Sequence, residues 1–397
     1  MLFVIRKIKN FFHSLLAFVA NLIYMFPSKD LYVIGVTGTD GKSTTAYYIY
    51  QILSINGKKA AFIGTTGAII DGMEQPVGLH VTTPSPFALQ KLVKKVKSAR
   101  AKYLVLEVTS HGLDQHRVAG IPFQIGIITN VTPEHLDYHG TLENYASTKV
   151  KLLKKAKIAI VGDDESGLIK KYLSGKDFTI YGLGKDSLVN AKQFNIPPDL
   201  EEFNKKNMLG AISAARHIGL TDKEIDNALP KLILPKARLD VVYNRSFKVI
   251  IDFAHTPASF ESLLQCLRKK TKGRLIHVFG AAGGRDKEKR KKMGEIASKY
   301  DDVIILTAED PRNEKIEKIN KEIKAGIKGF ELLGEKSAKS LCEIEDRSKA
   351  IQKAVKIAKK GDTVLLTGKG HEESMNISGT EHPWDEYIEV EKALSKK

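Results

Sequence analysis

The stretch LYVIGVTGTDGKST, residues 31–44, decides how this chain is read. Its apolar, β-branched run reads as a buried strand that ends in glycines, and a helix begins at once with Lys42, Ser43 and Thr44. Glycines at such a turn let backbone N–H groups face a phosphate, and the helix N-terminus adds a favourable dipole. Lys42 can reach β- and γ-phosphates, and the Ser43 hydroxyl can approach a magnesium ion. Gly38, Thr39, Asp40, Gly41, Lys42, Ser43 and Thr44 are therefore the candidate nucleotide-binding loop, a shortened relative of the phosphate-binding loop.

Outward from this loop, apolar runs alternate with helical stretches: a helix from about Lys42, AAFIGTT, a helix near 86–98, YLVLEVT and IGIITN. Such alternation predicts a parallel sheet with crossover helices. A second set follows Pro230 and Pro235: VVYNRSFKVIIDFA, read as one strand, then RLIHVFG, VIILTAED and TVLLTGKG. The expected architecture is α/β: a P-loop-type central domain with a parallel sheet over 31–234, and a Rossmann-like C-terminal α/β domain over 235–397. An apolar helix within residues 1–30 precedes them. Residues 174–202 are broken by Gly, Lys, Asp and Pro197-Pro198 and show no clear pattern.

A hydrophobic content of 42% places the 397-residue chain among globular proteins. Cys266 and Cys342 are far apart and lack metal-ligand spacing, which argues against a disulfide framework or zinc site and fits a reducing cytoplasm. The formal charge of +17 is spread over many segments without a nucleic-acid motif. It reads as a solvated surface suited to acidic, phosphate-bearing substrates, with no nucleic-acid partner, on a monomer. After Arg6, Lys7 and Lys9, the run FFHSLLAFVANLIYMF occupies only residues 11–26, short of the about 20 residues that span a bilayer. A signal peptide has this charge-then-apolar order, but it would export an ATP-binding domain to a compartment without ATP. A helix packed on the protein or lying in the membrane interface is expected instead.

Two polar clusters follow predicted strands. LEVTSHGLDQHR, residues 106–117, puts Glu107 and His111 at a strand end, where α/β sheets bind ligands and where a carboxylate is a natural Mg²⁺ ligand. TNVTPEHLDYHGTLENYASTK, residues 129–149, masses His135, Asp137 and His139 past a second strand end, which points to function. Lys149 read alone is an exposed lysine on a Lys-rich helix.

Nine motifs carry a resemblance: GTDGKST, TTP at 82–84, EVTSHGLDQHR, EHLDYHG with YASTK, FNKKN, DFAHTP, FGAAGGRDK, EDPRNE and GKGHE, in that order. From about residue 31 to its end the chain resembles the Mur ligases, and among them the UDP-N-acetylmuramoyl-tripeptide synthetase type. The resemblance implies an ATP- and Mg²⁺-dependent acid–amino-acid ligase of peptidoglycan biosynthesis. Such an enzyme adds a diamino acid to UDP-N-acetylmuramoyl-L-alanyl-D-glutamate. The substrate carboxylate attacks the γ-phosphate to give an acyl phosphate and ADP, and the incoming amine then displaces phosphate.

Residue by residue, the resemblance implies catalytic roles for Lys42, Glu107, His135 and Lys149. Ser43, Glu107, His135 and a carbamylated Lys149 would hold metal. Asn204, Asn207, Arg238, Asp252 and His255 match positions around the nucleotide; Thr82, Thr83, Thr109, Gln115 and Arg117 match those contacting the muramoyl substrate. Arg285, Asp310, Arg312, Gly368 and Glu372 match positions that read the added amino acid. An arginine fork suits the far carboxylate of meso-diaminopimelate, which lysine lacks.

Three departures accompany the resemblance. The family's usual Asp-Asn-Pro-Arg reads Glu309-Asp310-Pro311-Arg312 here, which removes a donor and adds negative charge. LEEFN stands where the family has a glycine near the nucleotide. The 30 residues before the first strand are too few for the family's uridine-nucleotide domain, so that end of the substrate is expected to be held by the helix region, by a partner, or not at all. Two other readings stay open: a related ligase acting on a folate or an amino-acid polymer, and a non-catalytic ATP-binding protein.

Overall fold

The structure is a computed structural model that describes residues 2–78, 82–173, 175–332 and 339–397. The side chains of residues 2–9 and 11, including Arg6, Lys7 and Lys9, lie outside the described residues. The chain divides into two units, Met1–Pro235 and Lys236–Lys397.

In the first unit the strands are β1 (Tyr32–Thr37), β2 (Ala60–Gly64), β3 (Gly67–Ile70), β4 (Met73–Gln75), β5 (Tyr103–Glu107), β6 (Phe123–Ile128), β7 (Ile158–Gly162), β8 (Thr179–Gly182) and β9 (Val189–Asn190). The helices are α1 (Leu2–Ile23), α2 (Lys42–Ile55), α3 (Pro86–Ser98), α4 (Ser110–Asp114), α5 (Leu136–His139), α6 (Leu142–Lys155), α7 (Ser166–Tyr172), α8 (Glu202–Ile218) and α9 (Asp222–Ala228). The strands form one sheet in the order β4-β3-β2-β5-β1-β6-β7-β8-β9. It is parallel except for the β2–β3–β4 meander.

The runs VIGV, YLVL and IGII are continuously apolar because β1, β5 and β6 are central and covered on both faces. Their register sets Val36 beside Glu107 on one side and beside Ile127 on the other. The C-terminal ends of all three strands therefore open at one edge. Short polar caps start the helices that leave this edge: Thr109 accepts from the Gly112 N–H, and Thr141 from the Asn144 N–H. The patternless stretch at 174–202 holds β8 and the edge strand β9, too short for period counting.

The N-terminal helix differs from the expectation in length and burial. It runs over Leu2–Ile23, and Met25 and Phe26 then take positive φ values of 56° and 48° before Pro27. Among its described side chains only a small-residue side is buried: Ala17, Ala20 and Asn21 pack inward, and Asn21 Nδ2 donates to the carbonyls of Ala17 (2.7 Å) and Ala119 (2.9 Å). Phe12, Leu15, Leu16, Phe18, Leu22 and Ile23 remain exposed. Among the described residues no helix is long and apolar enough to cross a membrane.

The second unit contains β10 (Asp240–Asn244), β11 (Lys248–Asp252), β12 (Leu275–Phe279), β13 (Val303–Leu306), β14 (Glu331–Leu332), β15 (Ser340–Glu343), β16 (Thr363–Thr367), β17 (Ser374–Ile377) and β18 (Thr380–Pro383). Helices α10 (Pro257–Lys270), α11 (Glu288–Tyr300), α12 (Ile316–Lys324), α13 (Arg347–Ile357) and α14 (Glu386–Ser395) accompany them. The main sheet runs β10-β11-β16-β12-β13-β15-β14, and β17–β18 form a separate hairpin. VVYNRSFKVIIDFA is two strands rather than one, because the chain reverses at Asn244–Phe247 and β10 pairs antiparallel with β11.

Candidate active site

The loop after β1 is held open by residues far away in sequence. The side-chain oxygen of Asn130, just past β6, accepts from the backbone N–H groups of Thr39 (3.0 Å) and Asp40 (2.8 Å). Gly41 caps α2 at φ 78°, and a Cβ there would run into the side chain of Asn207. Asn207 is buried on α8, where it donates to Asn204 (3.3 Å) and accepts from Thr45 (3.4 Å). Both asparagines matched to the nucleotide on this unit thus support the loop from one helix.

Two ammonium groups converge on this loop. Lys42 Nζ donates to the carbonyls of Gly38 (3.1 Å) and Thr39 (2.7 Å), and Lys149 Nζ donates to the same Gly38 oxygen at 2.5 Å. Lys149 is not the exposed helix lysine that its segment suggests; it is 1% exposed and lies 4.2 Å from the Tyr145 ring centroid. Burial, and next the charge of Lys42, push its pKa well below that of an ordinary lysine. This favours a neutral amine.

Glu107, at the end of β5, is fully buried and faces the first turn of α2. It accepts from the Ser43 hydroxyl (2.6 Å) and from the Thr65 backbone N–H. His135 begins α5 at φ 56°, its ring 4.8 Å from that of His111 and 6.3 Å from that of Tyr145. His139 bonds to Ser110 Oγ at 3.0 Å. A chain of contacts therefore runs from Glu107 through Ser43, Lys42, Gly38, Lys149 and Tyr145 to His135. Among the described residues no group of three or more His, Cys, Asp or Glu side chains is arranged to hold a metal ion. The oxygen donors of Ser43 and Glu107 fit magnesium, which is commonly bound through one or two carboxylates together with substrate phosphates.

The residues matched to the muramoyl substrate adjoin this centre. Thr82 Oγ1 accepts from Thr65 Oγ1 (2.9 Å), and Thr83 Oγ1 accepts from the Thr109 N–H (2.9 Å). Arg117 grips Gln115 Oε1 with Nη2 (2.7 Å) and the Thr83 carbonyl with Nη1 (2.8 Å). One half-buried guanidinium thus braces the whole set.

On the second unit, Asp252 accepts from the N–H groups of Leu239 and Ala254, both at 2.7 Å. Arg238 lies 4.9 Å from the Phe253 ring centroid and His255 5.0 Å from it. The candidate amino-acid residues lie on three loops. Gly283 donates to the Asp310 carbonyl at 2.8 Å, next to exposed Arg285. Gly284 donates to Glu314 Oε1 at 2.7 Å, and Glu314 is paired with the fully buried Arg290 at 3.1 Å. The charge added at Asp310 is answered inside the protein, because Lys369 Nζ lies 2.8 Å from it. Gly368 takes φ 100° beside the Glu309 carboxyl. Beneath these loops the buried guanidinium of Arg347 donates to the carbonyls of Ala308 (3.1 Å) and Thr367 (2.8 Å) while pairing with Glu386.

Residue types and spacing did not flag Asn130, Thr65, Lys369 or Arg347. Asn130 sits inside the polar cluster at 129–149 and Lys369 inside the motif GKGHE, so only their positions pointed to them. Arg347 had no signal.

A glycine turn that joins a buried parallel strand to a helix, with a lysine, a hydroxyl and a buried carboxylate gathered on it, defines a phosphate-binding nucleotide protein. Residues 36–223 match the family model described as Mur ligase middle domain, and residues 237–370 match that described as Mur ligase, glutamate ligase domain. The chain belongs to the Mur ligase family, the ATP-dependent amide-bond-forming ligases. It is 38% identical over 389 residues to the UDP-N-acetylmuramoyl-L-alanyl-D-glutamate–2,6-diaminopimelate ligase of Aquifex aeolicus, covering 93% of this chain and 78% of that protein. Ligase 1 of the same name from Clostridium acetobutylicum is 38% identical over 372 residues, covering 88% and 75%. A solved structure of such a ligase superposes with TM-score 0.60 at 31% identity over 93% of this chain and 79% of that one. The bifunctional folylpolyglutamate synthase/dihydrofolate synthase of Yersinia pestis has a TM-score of 0.69 at 18% identity, covering 91% and 92%, and shares the fold alone.

Proposed function

We propose that this protein is a ligase that adds meso-diaminopimelate to UDP-N-acetylmuramoyl-L-alanyl-D-glutamate in peptidoglycan biosynthesis. The observation that carries the reading is the long match at 38% identity to ligases with that printed activity. The convergence of Lys42, Ser43, Glu107 and Lys149 on one loop supports it. The substrate carboxylate attacks the γ-phosphorus of ATP, the bond to the β-phosphate oxygen breaks, and an acyl phosphate and ADP result. The amine of the incoming amino acid then attacks the acyl carbon, phosphate departs, and the amine proton is released. Lys42 and the loop N–H groups offset charge on the transferring phosphoryl group, so catalysis is mainly positioning and electrostatics. Ser43 and Glu107 would hold magnesium, which would supply charge against the phosphates. Lys149, as a neutral amine, would add CO₂ and lose a proton, turning a buried amine into an anion able to face a divalent cation. Arg312 and Arg285 supply guanidinium forks for the far carboxylate of the amino acid.

The test is phosphate release from ATP with the muramoyl dipeptide, run against meso-diaminopimelate, L-lysine and L-ornithine. Turnover only with the first is expected. Turnover with none of the three would leave a related ligase acting on another carboxylate.

We further propose that α1 rests on an anionic lipid surface. Phe12, Leu15, Leu16, Phe18, Leu22 and Ile23 make an exposed apolar face larger than scattered surface residues produce. Tyr24, at the end of this segment, lines one open hollow of about 520 Å³ together with Lys91, Lys94 and Lys95 of α3. Apolar side chains beside a row of lysines complement the boundary between acyl chains and acidic headgroups.

A further inference from the structure

The turns at 309–312 and 368–372 meet at one buried ammonium. The Lys369 side chain is 0% exposed, with Nζ 2.8 Å from Asp310 Oδ1 and 2.6 Å from Glu372 Oε2. Asp310 Oδ1 also accepts the Asn376 N–H of β17 at 3.0 Å. Two residues on, Arg312 is held at φ 52° by the same strand. Its N–H donates to the Asn376 carbonyl (2.9 Å), and its carbonyl accepts from the Ser378 N–H (2.7 Å). A non-glycine residue stays at positive φ only where its surroundings over-determine it.

Asp310 and Arg312 are thus fastened to one strand edge, and Lys369 ties that edge to the carboxylate of Glu372. Two carboxylates share one ammonium, with the Glu309 carboxyl beside Gly368. An amino acid with an ammonium at one point and a carboxylate at another is complemented by Glu372 and Arg312 only if their separation is fixed.

We propose that Lys369 is a positioning residue for amino-acid selection: through Asp310 and Glu372 it sets the spacing between the carboxylate of one turn and the guanidinium of the other. This rests on the ligase reading. Lys369→Met leaves two neighbouring carboxylates that repel each other. Lys369→Gln keeps a hydrogen-bond donor toward the two carboxylates but removes the charge that holds them together.

The experiment measures kcat and KM for each of the three substrates in wild type, Lys369→Met and Lys369→Gln, together with melting temperature. Both variants are expected to raise KM for the amino acid about tenfold or more, the scale of one charged hydrogen bond, while KM for ATP and for the carboxylate substrate holds. The ratio of kcat/KM for diaminopimelate over lysine is expected to fall in parallel. An unchanged amino-acid KM with only a lower melting temperature overturns the proposal, as does an equal rise in all three KM values. If Lys369→Met does not fold, the polar Lys369→Gln decides. Should wild type ligate a different amino acid, the substrate assignment falls and the positioning claim is scored on that amino acid. Ligation of no amino acid overturns both.

Discussion

The Lys149 amine lies 2.5 Å from the carbonyl oxygen of Gly38, the oxygen that Lys42 also reaches. Two ammonium groups on one carbonyl, one of them buried, favour losing a proton from the buried one, and a neutral amine can take up CO₂. Lys149→Met is expected to lower kcat by roughly 10²–10³-fold, as loss of a charge that organises the phosphoryl site would. Its melting temperature should stay at or above that of wild type, because removing a buried amine relieves desolvation. The sign of the pH effect is fixed by linkage. The folded pKa lies below the unfolded one, so wild-type stability gains relative to the variant as pH rises through that window. Thermal melts against pH, with activity before and after CO₂ removal, check both statements.

Glu107→Gln can keep an acceptor for the Thr65 N–H and donate to the Ser43 hydroxyl, but it removes the charge facing the metal position. A fall in kcat of about 10²-fold, with a higher Mg²⁺ requirement and little change in melting temperature, is expected. Magnesium titrations of phosphate release measure it. A wild-type magnesium profile would remove Glu107 from the metal site.

Gly41→Ala places a methyl group against the Asn207 side chain at a backbone angle that disfavours it. A loss of about 2 kcal/mol is expected from strain and crowding together, with ATP affinity falling at the same time. Denaturant unfolding and nucleotide titration read the two effects separately. The Asn207→Ala change in the same background should recover part of the stability.

Leu15→Glu with Leu22→Glu puts charge on the exposed face of α1. Wild type should sediment with vesicles containing phosphatidylglycerol, more weakly with phosphatidylcholine alone, and less at high salt. The double variant should stay in the supernatant at unchanged ligase activity. Wild type remaining in the supernatant with both vesicle types would sink the lipid assignment, and concentration-dependent dimerisation lost in the double variant would point to a second copy instead.

Glu314 is held down to about 2 by hydrogen bonding to Arg290, aided by the Gly284 N–H. Its folded pKa is lower than its unfolded one, so its contribution is complete above about pH 4.5 and is lost as pH falls toward 2. Glu314→Gln should cost on the order of 1 kcal/mol at neutral pH, allowing for solvent screening, and should flatten this acid limb. Because Glu314 anchors Gly284 beside Arg285, KM for the amino acid should rise as well.

The glycine turn between β1 and α2 was legible in the sequence because its pattern is local. Gly38, Gly41, Lys42 and Ser43 lie within one turn, and a glycine turn between an apolar run and a helix has few other uses. The parallel sheet was legible for a related reason: strands covered on both faces are apolar without interruption. Short strands such as β8 and β9 carry too few residues to show a period. The turn within VVYNRSFKVIIDFA hid inside one β-branched run.

By itself the sequence determined the α/β class, the two sets of strands and the residues available to the site. Tertiary structure alone decided which of them meet. The register of β1 with β5 and β6 brings Glu107 to Ser43 and Asn130 to the loop N–H groups, and packing of α6 buries Lys149 under Gly38. In the second unit it turns Asp310 inward to Lys369, where the sequence offered only an unmatched charge. Side-chain chemistry is written residue by residue, but burial and pairing depend on atoms that lie dozens of residues apart until the sheets align them.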